Sequence, residues 1–155
     1  MFSTESALQN SPLVLGFTPP VLAKLATYTS MLQYATDQAI ITEGQPSENL
    51  FVLVKGQIVV EKVGSQGQRV LIAEVDQPGS FFGELALVDI QAHSATVRCS
   101  VASVFVVLPK AHLVDFFAEF PQAQMTMILN ILRVISQRMR MANDRVVELA
   151  QLPAF

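Results

Sequence analysis

Residues 81–98 gather the side chains best able to do chemistry. Gly83 and Glu84 open a short apolar turn, a polar loop follows, and His93, Ser94, Ala95 and Thr96 lead into a strand-like run. A carboxylate, an imidazole and a hydroxyl in one stretch invite a catalytic reading, and Glu84 with His93 can be drawn as an acid–base pair. No nucleophile–base–acid set accompanies them. The two histidines, His93 and His112, lack the spacing of a metal pair, and the single cysteine, Cys99, gives no zinc framework. The expectation is that this is not an enzyme and holds no metal and no cofactor.

The elements that must position this stretch are legible from period and punctuation. Residues 1–16 carry little periodic signal and read as a loose arm or a short helix. Thr18-Pro19-Pro20 reads as a helix start, because proline is tolerated in a first turn. Val21, Leu22, Leu25, Met31 and Leu32 then line one face of the predicted helix. Between residues 39 and 108, short runs rich in Val, Ile and Phe alternate with turn residues at Glu43-Gly44, Lys55-Gly56, Gly64 to Gly67 and Pro78-Gly79. That spacing indicates an antiparallel barrel or jelly roll, with 64–67 as a hairpin loop. After Pro109 the pattern turns helical. Residues 122–152 contain neither Gly nor Pro, and Met125, Ile128, Leu132, Ile135, Met139, Ala142, Val146 and Leu149 recur at alternating spacings of three and four. A helix of about 30 residues would be about 45 Å long, too long to bury against one small β domain. A homodimer through 122–152 is expected.

Composition bounds the rest. The 155 residues are 51% hydrophobic and 15% charged, so a core can form and disorder is excluded. A net charge of −3 argues against a nucleic-acid surface. Residues 1–10 lack the basic and apolar regions of a secretory signal, and the apolar run at 101–108 is far too short to span a bilayer. A cytoplasmic protein with no membrane association is expected, its lone Cys99 buried and inert. The fold class is α+β, mainly β: an antiparallel jelly roll or barrel flanked by an N-terminal helix and a long C-terminal dimerisation helix. The domains expected are an arm at 1–19, a β-barrel domain at 20–121 and the helix at 122–152.

The run Phe82-Gly83-Glu84-Leu85-Ala86-Leu87, a spacer, and then His93-Ser94-Ala95-Thr96-Val97 resembles the phosphate-binding cassette of the cyclic nucleotide-binding domain family. The order of elements, the Glu43-Gly44 turn and the glycine closing Phe51-Val52-Leu53-Val54-Lys55-Gly56 resemble that family too. Asp37-Gln38 stands where many members have Gly-Glu. The resemblance implies a regulatory module for cAMP, cGMP or a related small anion. It implies that Gly83 lets the backbone approach the ligand and that the amides of Leu85 and Ala86 face the phosphate or ribose. Glu84 would accept from the ribose 2′-hydroxyl, Ser94 would donate its hydroxyl to a phosphate oxygen, and Ala95 its N–H.

One position departs from the family pattern. The phosphate-binding arginine falls at His93, which offers fewer donors, a shorter arm and an unperturbed pKa of about 6.5. A neighbouring carboxylate such as Glu84 or Asp89 would favour its charged form. Arg98 lies an odd number of residues on, so it leaves the opposite face of a strand. Residues 143–152 resemble the dimerisation helix of the catabolite-activator branch of the family. There Ala142 cannot hydrogen-bond a base, whereas Asn143 can. The chain stops at Phe155 with no recognition helix, so no direct nucleic-acid partner is expected. Two functions remain open at this point: a small-molecule cyclic nucleotide bound weakly or with altered specificity, or a ligand-independent dimeric scaffold with a lost nucleotide site.

Overall fold

The computed structural model describes residues 3–46, 48–87 and 92–153. The N-terminal segment holds helix α1 (Thr4–Gln9), a 3-10 turn (Pro12–Val14) and helix α2 (Pro19–Ala26). Ser3 caps α1 by accepting from the Ser6 N–H, and the segment packs firmly, with Leu8, Leu13 and Leu25 fully buried. Ser11 fastens it to the β domain, its hydroxyl donating to the Gly79 carbonyl at 2.6 Å.

The helix expected from Pro19 onward ends at Ala26. Met31 and Leu32 belong instead to a strand, β1 (Ser30–Tyr34). Their spacing imitates a helical period, but the run between is unsuited to one. The hydroxyls of Thr27 and Thr29 donate to the carbonyls of Lys24 and Ala26, taking acceptors that a continuing helix would bond.

The β domain is two four-stranded antiparallel sheets. One is ordered β1-β8-β3-β6, with β3 at Asn49–Lys55, β6 at Phe81–Phe82 and β8 at Ser103–Pro109. The other is ordered β2-β7-β4-β5, with β2 at Ala39–Ile41, β4 at Ile58–Val63, β5 at Arg69–Val75 and β7 at Thr96–Cys99. This is the jelly-roll arrangement expected. Alternate residues face inward, so Phe51, Leu53, Phe82, Phe105, Val97 and Cys99 form a core between the sheets. A second core lies between the outer face of the first sheet and the helices, around Val52, Phe81, Val106 and Phe116. Gly56 is held at φ +119°, and a Cβ there would fall 2.1 Å from the Ser103 Oγ. Only glycine fits that turn. Asp37 adopts φ 66°, a left-handed angle that few residues other than glycine take readily.

Helix α3 (Lys110–Glu119) is followed by α4 (Pro121–Ala150). The body buries one stripe of α4: Ala123, Met127, Asn130 and Ile131. Asn130 is a polar residue in that stripe. Its amide donates to the Leu13 and Leu15 carbonyls at 3.0 and 2.9 Å, while Arg133 donates to its Oδ1. A buried amide left half-satisfied costs about 1–3 kcal/mol, so this trio fixes α4 against the N-terminal segment. The heptad seam lies on a different face. Met125, Leu132, Met139, Val146 and Leu149 are all more than half exposed. Among the described residues, no helix is long and apolar enough to cross a membrane.

Candidate functional site: the cassette at residues 83–96

The cassette begins where β6 ends. Gly83 takes φ +82°, and a Cβ there would lie 2.5 Å from the Asn49 carbonyl oxygen. The turn therefore needs glycine twice over, for its backbone angle and for its closeness to β3. Glu84, Leu85 and Ala86 follow in a 3-10 turn (Glu84–Leu87), with Leu85 exposed. Asp89, considered above as a neighbour of His93, lies outside the described residues.

Glu84 is 7% exposed, yet it is paired. Arg138 of α4 donates from Nη1 to the Glu84 carboxylate at 2.9 Å and from Nη2 to the Phe81 carbonyl. Its guanidinium carbon lies 5.3 and 5.4 Å from the ring centres of Phe81 and Phe82. A guanidinium held between aromatic rings and bonded to a buried carboxylate is a strong, directional contact. It ties the cassette to the long helix. Sequence reading missed Arg138, although a signal exists. Met127, Ile131 and Val134 step along the body-facing stripe, and residue 138 is its next position.

His93 does not meet Glu84. Its backbone is bonded to the β2–β3 loop, its N–H donating to the Gln45 carbonyl at 3.0 Å and its carbonyl accepting from Gly44 at 2.9 Å. With Thr42, Gln45, Pro46, Glu48 and Asn49 it lines a cavity of about 190 Å³. Burial pushes its pKa below the ordinary histidine value. The expectation that Glu84 would charge the imidazole is corrected on this ground: Arg138 already neutralises that carboxylate, and desolvation governs His93.

Ser94 is exposed and Ala95 half-buried. The Ser94 carbonyl accepts from the Lys62 ammonium of β4 at 2.7 Å. Lys62 also lies 3.5 Å from Glu43, whose other carboxylate oxygen accepts from the Val63 N–H at 2.9 Å. Thr96 Oγ1 accepts from the Glu43 N–H. The start of β7, the end of β4 and the loop after β2 are thus laced together. Arg98 faces outward to Glu61 at 3.3 Å and to the Asp37 carbonyl, as its odd spacing requires. Asn143 is exposed on α4, beyond the last half-buried position at Arg138, so it is not brought against the cassette within one chain. Cys99 is fully buried, and burial pushes its thiol pKa up. Among the described residues, no group of three or more His, Cys, Asp and Glu is placed to hold a metal ion.

Two packed antiparallel sheets, a glycine-opened cassette and a long helix bonded to it through Arg138 define a jelly-roll domain. Residues 31–120 match the family model described as the cyclic nucleotide-binding domain. The chain belongs to that family. Similar proteins include Glutaminase 1 of Bradyrhizobium diazoefficiens, 28% identical over 94% of this chain and 23% of that protein. The cAMP-activated global transcriptional regulator CRP of Salmonella typhimurium is 26% identical over 90% of this chain and 66% of its own length. The fold is also that of a cyclic nucleotide-binding domain from Methylobacillus flagellatus, with a TM-score of 0.84, 24% identity and coverage of 98% of this chain and 86% of that one. The chain spans less than a quarter of the glutaminase it resembles.

Proposed function

We propose that this chain is a regulatory module that takes a cyclic nucleotide such as cAMP or cGMP, or a related small anion, at the cassette, and works as a homodimer through α4. The observation that carries the reading is the Arg138 bridge from α4 to Glu84 and the Phe81 carbonyl. A ribose hydroxyl donating to Glu84 competes with Arg138 for the same carboxylate. Ligand entry therefore bears on how α4 docks. A ligand shifts such an equilibrium only by its differential affinity for the two arrangements, and the bridge supplies a contact that differs between them. Gly83, Glu84, Leu85, Ala86, Ser94 and Ala95 form the pocket wall in this proposal. Asn143 would reach a ligand only across a dimer. The activities of longer relatives are no part of it.

A ligand-independent dimeric scaffold is the second reading. It is favoured by one specific observation: position 93 brings a histidine whose burial disfavours charge, where the family pattern has a permanent cation.

A thermal-shift panel of cyclic mononucleotides separates the two. A ligand bound only by the native state at a hundredfold excess over Kd stabilises by about 2.7 kcal/mol, or about 5–10 °C for a chain of this size. The sensor reading predicts such a rise for at least one cyclic mononucleotide, and a larger rise in Arg138→Gln, which removes the competitor for Glu84. A flat panel, with a dimer that persists, selects the scaffold.

A further inference from the structure

We propose that the anion site of this cassette is completed by Lys62 of β4 and not by residue 93, so that the phosphodiester of a bound nucleotide sits between the Lys62 ammonium and the Ser94-Ala95 segment. The inference rests on the binding function proposed above and names the cation that makes it workable. Two arginines near the cassette are already bonded, and Arg69 lies on the other face of the β4–β5 hairpin. Arg138 is bonded to Glu84 and the Phe81 carbonyl. Arg98 is bonded to Glu61 and the Asp37 carbonyl on the outer face. Arg69 opposes Val63, one residue out of phase with the inward-facing positions of the hairpin.

Lys62 differs in both face and partners. The β4–β5 ladder is irregular between Val60 and Glu61, but the β4–β7 ladder runs unbroken from Ile58 to Glu61, and continuing its alternation puts Lys62 on the same inner face as Val60. In register, Glu61 opposes Thr96, the first residue of β7, and the Lys62 ammonium reaches the Ser94 carbonyl just beyond it. Across the hairpin it opposes Val70, and Val60 opposes Ala73. The inner face of β4–β5 is therefore an apolar shelf, with Val70 44% exposed, that ends in one ammonium group. A shelf of this kind suits a ligand with a flat apolar ring at one end and an anion at the other. The side chain of Lys62 is 51% exposed, and its two contacts are a carbonyl and a carboxylate at 3.5 Å. An exposed pair of that length contributes little, so a phosphate can draw the ammonium from Glu43. Glu43 itself stays anchored to the Val63 N–H. It acts as a brake, because its charge must be shared with the incoming anion.

The test is calorimetric titration of the full chain with cAMP and with cGMP, for wild type, Lys62→Gln, Lys62→Arg and Glu43→Gln, each checked for its melting temperature. Loss of one charged contact predicts a fall of about tenfold or more in Lys62→Gln, with affinity kept in Lys62→Arg. Glu43→Gln retains the acceptor for Val63 but drops the charge, and is expected to bind more tightly than wild type, which a merely structural tether would not produce. Wild-type binding that Lys62→Gln leaves within about threefold overturns the role of Lys62 and leaves the binding function standing. Silence in wild type and all three variants overturns the binding function, and this assignment with it.

Discussion

His93 shows how a single side chain can carry a motif's position without its chemistry. The backbone at 93 is held on both sides by the loop after β2, so the site needs some residue there for its fold. The imidazole faces a small cavity, and burial depresses its pKa. The folded state therefore resists protonation more than the unfolded chain does. As pH falls below the unfolded value of about 6.5, the unfolded state binds more protons and stability is lost. The free protein is expected to lose melting temperature between pH 7.5 and pH 5.5, and His93→Asn to lose measurably less. An identical slope in the variant would show that His93 titrates as it does in water. Gly83 and Glu84 were legible because their constraints are local, a turn angle and an acid beside it. Arg138 and Lys62 were not. The role of Arg138 depends on where α4 docks, and that of Lys62 on which face the β4–β7 register gives it. Neither is written in the residues next to them.

At the scale of elements, the strands announced themselves through glycine-bearing turns, and most of the predicted runs became strands within a residue or two. The failures have physical causes. β6 is two residues long, too short for a periodic signal. β1 was absorbed into the preceding helix because its apolar pair fell at a helical spacing, while side-chain hydroxyls ended that helix early. The long helix was the clearest element, yet it carries two apolar faces. One, through Met127 and Ile131, is buried on the body, and the other is the heptad seam. Beyond Arg138 the helix is exposed on every side. A helical segment of about a dozen residues is marginal in water without a packing partner, and a seam at this period complements a second copy of itself. Light scattering on the full chain is expected to give a dimer at micromolar concentration, and the double variant Val146→Glu, Leu149→Glu a monomer. Both residues lie clear of the cassette, so the variant should keep the fold. A wild-type monomer would contradict the pairing.

In the whole molecule, the two cores meet at β6. Phe81 faces the helices and Phe82 the space between the sheets, and Arg138 lies against both rings. The Arg138 bridge joins the cassette to the middle of α4, while the trio at Asn130 holds the start of the same helix to the N-terminal segment. The helix is pinned at its base and conditionally held at its middle. In the function proposed above, occupancy of the cassette would act on α4 through this contact, and the exposed seam from Met125 to Leu149 would carry the change to a second copy. The most direct test is calorimetric titration of wild type with cAMP and cGMP at pH 6 and pH 8, beside His93→Arg. The account predicts saturable binding by wild type to at least one of the two, with affinities at the two pH values within about threefold because a lysine supplies the charge. No binding by wild type together with binding restored in His93→Arg would contradict it, because the pocket would then require the arginine that this chain lacks.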